Sequence, residues 1–295
     1  MPANDKGFVV NDEARTKLKD WYEVFRGHVM SPTTERTLET RHGRTHVTSA
    51  GPEDAPPIVM LHGAMATSAH VLCEAGPLVK RYRVHAIDVL GQSYMSEERR
   101  LSLKDATYAE WLSDVFDGLG LKSATVFGIS WGGFVALRGL AKLSQRIERL
   151  VLLVPAGVVN GSAWTGFSKV AWPMMMYRMF PSDERLKRFF MALFTTWDDD
   201  WARYLADSMK LMKTDLRVPP LFGPSDVAGF SKPVLVIGAE QDASFPGAAL
   251  VARAKELFPQ AETELLPGAK HGPSTTPQAR AALADRVSRF IDGPS

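Results

Sequence analysis

The sequence predicts an α/β protein: a mostly parallel sheet with helices on both faces, interrupted late in the chain by an all-helical segment. Three observations predict it. From about residue 56, short apolar runs alternate with amphipathic helical patterns, which is how a sheet buried on both faces reads. The alternation stops near residue 158 and resumes near 232. The stretch VFGISWGGFVALRG, Val126 to Gly139, passes from a β-branched run through a glycine-flanked serine into a helical pattern.

Each element can be justified in order. Residues 12–29 carry Leu18, Trp21, Tyr22, Phe25 and Val29 at spacings of three and four, an amphipathic helix whose apolar side is expected on the main body. RTLETRHGRTHVTSAG alternates around a His-Gly turn and reads as a hairpin. PPIVMLHG and YRVHAID are short strands, the second ending in Asp88. DATYAEWLSDVFDGLG is a helix with Trp111, Leu112, Val115, Phe116 and Leu119 on one side. SATVFGIS, the helix WGGFVALRGLAKL and the strand IERLVLLVPAG follow. Residues 158–225 have helical spacing, many Trp, Phe and Met residues, and no strand candidate. After them come the strand KPVLVIGAEQD, the helix GAALVARAKELF, the strand AETELLPG and a last helix near 276–291. The expected domains are an N-terminal helical extension (1–30), a core (31–157 and 226–295) and a helical cap (158–225).

Composition narrows the functional classes. A chain of 295 residues with 45% hydrophobic and 23% charged residues is an ordinary globular protein. A net charge of +2 argues for neither nucleic acid nor an anionic membrane as partner. The single cysteine, Cys73, permits no intramolecular disulfide and reads as a small buried hydrophobe. The N-terminal residues show no secretory pattern, and the longest apolar run is half a membrane span, so a cytoplasmic protein is expected. No dinucleotide or phosphate loop is correctly placed, and no ligand cluster has metal spacing, so neither cofactor nor metal is expected.

The chemistry rests on GISWGG, which fits G-x-S-x-G with Gly128, Ser130 and Gly132. Such a serine sits on a sharp strand-to-helix turn, and the glycines allow close approach of neighbouring backbone. In that architecture an acid and then a histidine follow the nucleophile. Of seven histidines only His271 follows Ser130, in a loop between the last strand and the last helix. The acid is Asp242, after a late strand, with Glu240 as competitor. The backbone N–H of Ala64, or of Met65, together with that of Trp131 could form an oxyanion hole. His62 is expected to order that loop. Asp198 to Asp200 read as a solvated helix start.

LHGA, AIDVLGQS, GISWGG, GAEQDASFP and KHGP, in that order, resemble the α/β-hydrolase fold superfamily over most of residues 35–292. YAEWLSDVFDGLGL leading into GISWGG is similar to bacterial carboxylesterases of the NP type. The resemblance implies an eight-stranded sheet under a helical cap, and hydrolysis of a small-molecule ester through an acyl-enzyme on Ser130. Met65, Trp164, Trp172 and Met175 are the pocket candidates. One departure is Ser93, where the loop after Asp88 often has a second glycine. A C–C bond hydrolase using Arg178, Arg185 or Lys187 for a substrate carboxylate, a lactonase, and a non-catalytic ligand receptor are the rival readings. Serine at position 130 argues against a haloalkane dehalogenase or an epoxide hydrolase, which would use aspartate there.

Overall fold

The computed structural model describes residues 7–215 and 217–293. Residues 1–6 of the N-terminal extension, Leu216, and residues 294 and 295 lie outside the described residues.

Eight strands form one sheet: β1 Thr33–Thr40, β2 Gly43–Ala50, β3 Pro57–Leu61, β4 Arg83–Ile87, β5 Ala124–Ile129, β6 Ile147–Leu153, β7 Val234–Ala239 and β8 Glu262–Leu266. Their spatial order is β1-β2-β4-β3-β5-β6-β7-β8. The predicted hairpin is β1–β2, in register from Thr33 opposite Ala50 to Thr40 opposite Gly43. The β2–β4 pair is antiparallel, and every pair from β4 to β8 is parallel. The carboxyl ends of β3, β5, β7 and β8 therefore share one edge of the sheet, where an open α/β sheet places ligands.

The helices are α1 Asp12–Gly27, α2 Ser68–Ala75, α3 Thr107–Gly118, α4 Trp131–Leu143, α5 Ala163–Gly166, α6 Trp172–Met179, α7 Asp183–Leu193, α8 Asp199–Leu211, α9 Pro224–Val227, α10 Gly247–Leu257 and α11 Pro277–Asp292. The central strands are apolar on both sides and sort by alternation. Val59, Leu61, Val126, Leu150, Leu152 and Val236 face the layer of α3, α4 and α10. Ile58, Met60, Phe127, Val151, Leu235 and Ile237 face the layer of α2 and α11. Each such side chain, fully buried, contributes about 1.5–3 kcal/mol. In α3, Trp111, Leu112, Val115 and Phe116 are all buried. The Trp111 indole N–H donates to Thr45 Oγ1 at 2.8 Å, so the ring's polar edge is satisfied inside the core.

Between β6 and β7 the chain forms α5 to α9. Ser182 caps α7 by accepting the Arg185 N–H. Asp198 caps α8 by accepting the Trp201 N–H at 3.1 Å. Asp199 and Asp200 lie in that helix's first turn, where negative charge complements the helix dipole. The WDDDW run is thus a helix start.

Helix α1 reaches further than its apolar stripe disclosed. Leu18, Tyr22 and Phe25 pack on Ala69 and Cys73 of α2, but also on Tyr204 of α8. Trp21 Nε1–H and Lys17 Nζ both donate to the Asp207 carboxylate, at 2.9 and 3.0 Å. The extension wedges between the sheet layer and the helical segment instead of packing on the core alone. Burial pushes the Cys73 thiol up to about 12, so it stays protonated and acts as an apolar side chain.

Candidate active site

Strand β5 ends at Ile129, and Ser130 turns the chain into α4 with φ 51° and ψ −114°. A non-glycine residue there is strained. The turn is held because the Ser130 N–H donates to the Leu153 carbonyl, and the Ser130 carbonyl accepts from Gly133 and Ala156. Gly132 explains the neighbouring glycine. A Cβ there would lie 2.1 Å from the Leu61 carbonyl oxygen and 2.8 Å from that of His62. At Gly128 a Cβ would lie 2.6 Å from the Gly132 oxygen. The first turn of α4 is therefore pressed against the end of β3, bringing the loop after β3 beside Ser130. An ideal Cβ on Gly63 would stand 3.4 Å from Ser130 Cβ.

His271, in the loop after β8, places Nε2 2.9 Å from Ser130 Oγ and Nδ1 2.8 Å from Asp242 Oδ2. A carboxylate only accepts, so Nδ1 carries the proton and Nε2 is left to accept from the serine hydroxyl. The Asp242 carboxylate is fully buried. Its Oδ1 accepts the N–H groups of Ser244 and Phe245 at 2.7 and 3.0 Å. Phe245 packs edge-on to the imidazole, with centroids 5.3 Å apart. Glu240 faces elsewhere and accepts the Gly268 N–H at 2.7 Å.

Ala64 is exposed in the turn after β3, and Met65 has φ 62°. Trp131 is the first residue of α4, so its N–H has no partner within the helix. The Trp131 indole is buried against Phe134. His62 is buried. Its Nε2 accepts the Val89 N–H at 2.9 Å and its Nδ1 bonds the Gly63 carbonyl at 2.7 Å. Burial lowers its pKa, so it stays neutral and ties the β3 and β4 loops together.

Asp88 anchors the same loops. Its carboxylate accepts from the Ser68 N–H and hydroxyl at the start of α2, from Ser93 Oγ at 2.6 Å, and from His46 Nδ1 at 2.8 Å. Burial would raise its pKa, but the hydrogen bond and charge of His46, with help from His62 and Ser68, outweigh burial and hold it below the usual range. Burial likewise pulls His46 down, and Asp88 overcomes it and raises it. Ser93, the departure from the common glycine, thus has its own bond to Asp88.

Three contacts escaped the sequence reading. The Tyr204 hydroxyl, on α8, donates to the Met65 carbonyl. Thr195, just past α7, donates its N–H to the Gly272 carbonyl at 2.9 Å and accepts the Lys270 N–H at 2.9 Å. The helical segment therefore braces both the loop after β3 and the histidine loop. No periodicity marks such contacts, which depend on tertiary approach. Of the pocket candidates, Met65 packs inward against the cluster of α6, α7 and α8. Trp164 is 74% exposed. Trp172 and Met175 are also exposed. Arg178, Arg185 and Lys187 lie at the surface.

The sheet order is that of an α/β hydrolase, and the comparisons agree on the fold. Residues 58–285 match the model of the Alpha/beta hydrolase family, and the chain belongs to that family. Among its relatives is carboxylesterase YbfK of Bacillus subtilis, 27% identical over 79% of this chain and 80% of that protein. The uncharacterized carboxylesterase nap of the same organism is 38% identical, over 40% of each chain. The crystal structure of naproxen esterase (carboxylesterase NP) from Bacillus subtilis superposes with a TM-score of 0.79 at 24% identity, covering 94% of this chain and 98% of that one. Among the described residues, no helix is long and apolar enough to cross a membrane.

Proposed function

We propose that the protein hydrolyses carboxylic esters of small apolar molecules through an acyl-enzyme on Ser130. The observation that carries this reading is the continuous chain Ser130 Oγ, His271 Nε2, His271 Nδ1, Asp242 Oδ2, with both links at hydrogen-bond distance. Ser130 Oγ attacks the ester carbonyl carbon while its proton passes to His271 Nε2. Asp242 stabilises the imidazolium and holds its tautomer. The N–H groups of Trp131 and Ala64 receive the oxyanion, each worth about 3 kcal/mol of barrier. His271 returns the proton to the departing alcohol oxygen as the ester C–O bond breaks. Water then attacks the acyl-enzyme, losing its proton to His271, and Ser130 leaves with that proton as the carboxylic acid is released.

In this reading α5 to α8 form a cap. Its contacts from Tyr204 and Thr195 steady the two loops that supply the oxyanion donor and the base. Surface positions for Arg178, Arg185 and Lys187 support an ester over a C–C bond substrate, whose carboxylate would need a fixed cation. The test is hydrolysis of aryl esters of graded acyl length, a lactone and a dienone acid by wild-type protein and Ser130→Ala. Ester turnover that the substitution abolishes is expected. Turnover retained by Ser130→Ala, or confined to the dienone acid, would overturn the reading.

A further inference from the structure

Residues 163–179 form a nearly continuous helix: α5, a π-helical turn over Phe167–Ala171, and α6. One side of it packs inward. Val170, Met174 and Tyr177 join Met65 and the buried faces of α7 and α8. A helix apolar on one face and solvated on the other would carry polar residues outside. This one carries Trp164, Phe167, Trp172, Met175 and Met179, all exposed.

These five form one stripe. Their spacings are three, five, three and four, and the step of five crosses the π-helical turn, where i to i+5 residues align. Ring contacts follow the stripe, Trp164 to Phe167 at 6.1 Å and Phe167 to Trp172 at 6.3 Å. A contiguous exposed apolar patch of this kind marks an interaction surface.

Charge says what would cover it. Lys169, Arg178, Arg185, Lys187 and Arg188 are exposed on this helix and on α7, and none of them is in an ion pair among the described residues. Only Asp183 and Glu184 oppose them in that span, whereas the whole chain carries +2. Residues 163–188, which carry the stripe, thus hold a net charge of +3 within a chain of +2. Aromatic and apolar side chains flanked by Lys and Arg, on a helix lying along the surface, match the headgroup and acyl layers of an anionic lipid surface.

We infer that the outer face of residues 163–188 docks on an anionic lipid surface, with the stripe entering the acyl boundary and the five cations meeting headgroups. This goes beyond the near-neutral overall charge, which averages the patch away. Docking does not use Ser130, so it stands or falls apart from the proposed ester hydrolysis.

The experiment is co-sedimentation of the full chain with extruded vesicles of phosphatidylcholine alone, or of phosphatidylcholine mixed with phosphatidylglycerol, at low and high salt. Binding to the mixed vesicles, weakened by salt and shared by Ser130→Ala, is expected. Each basic residue near an anionic surface is worth about five-fold in partition, so Lys169→Gln with Arg178→Gln should lose about 30-fold. Phe167→Ser with Met179→Ser should lose about ten-fold or more. Unchanged thermal melts of these surface variants establish that they fold. Three results would overturn the inference: no pelleting with either vesicle, equal binding by the variants, or a concentration-dependent dimer that Phe167→Ser with Met179→Ser abolishes in protein that ignores vesicles. The last would assign the face to a second copy of the chain.

Discussion

Gly132→Ala tests how the fold sets the geometry around Ser130. The added Cβ would stand 2.1 Å from Leu61 O, 2.5 Å from Leu61 C and 2.8 Å from His62 O. All three are backbone atoms, so no side chain can rotate away. Reaching a tolerable separation requires α4 and the end of β3 to part by about 1 Å, and misplacement on that scale costs about 100-fold in rate. Those two segments carry the proposed donors Trp131 and Ala64. The overpacking should cost about 1–3 kcal/mol of stability. Gly139→Ala, on the same helix, is the control. Its Cβ would meet the Leu112 Cδ2 methyl at 2.8 Å, which can move. Steady-state kcat on an aryl ester, with urea unfolding alongside, reads both effects. Gly132→Ala should lose about 100-fold in kcat while remaining folded, and Gly139→Ala should keep near-normal kcat. A folded Gly132→Ala with kcat within about three-fold of wild type would refute the reasoning that this close approach sets the oxyanion geometry.

Asp242→Asn should lower kcat by about 10⁴-fold. The Ser244 and Phe245 N–H groups would fix the amide oxygen, turning its NH₂ toward His271 and forcing the proton onto Nε2; unaltered kcat in a folded variant would contradict this. Tyr204→Phe removes the donor to the Met65 carbonyl, and should lower kcat with KM little changed, at a stability cost of about 1–3 kcal/mol; an effect on stability alone would show that Tyr204 does not position the loop. His85 is bonded to Ser49 Oγ, and burial, with Arg83 and Arg36 nearby, lowers its pKa to about 4. Between about pH 6.5 and the folded value the unfolded chain binds the extra proton, so stability falls as pH falls, by up to about 3 kcal/mol. His85→Gln should flatten that acid-side loss, as read by urea unfolding near pH 7 and near pH 4.5; an unchanged slope would show that His85 is not its source.

Much of the fold was legible because its signals are local. The central strands read as apolar runs since both faces are buried, and Asp198 announced the start of α8. The proximity of Ser130 and His271 was legible because chain order left one histidine after Ser130. Two acids stood open in the sequence, and only three-dimensional approach separates Asp242, which meets His271, from Glu240, which meets Gly268. Periodicity names an apolar face without naming what covers it. The stripe of α1 therefore points to burial without announcing that part of its cover is Tyr204 of α8. The bonds of Tyr204 to Met65 and of Thr195 to Gly272 join residues far apart in sequence through single hydroxyl, N–H and carbonyl groups, and such pairs leave no pattern in the chain. Ser93 read as a departure from a glycine, and only the buried Asp88 gives it a partner.

The most direct measurement is intact-mass analysis with peptide mapping after treatment with an aryl dialkyl phosphate that phosphorylates activated serines. Ser130 lies 2.9 Å from a base whose other nitrogen is fixed on a buried carboxylate. One adduct per chain, on Ser130, is expected, with loss of ester turnover in step with labelling and no adduct in His271→Ala. Full ester turnover with Ser130 unmodified, or an adduct on another serine that accompanies inactivation, would contradict an acyl-enzyme on Ser130.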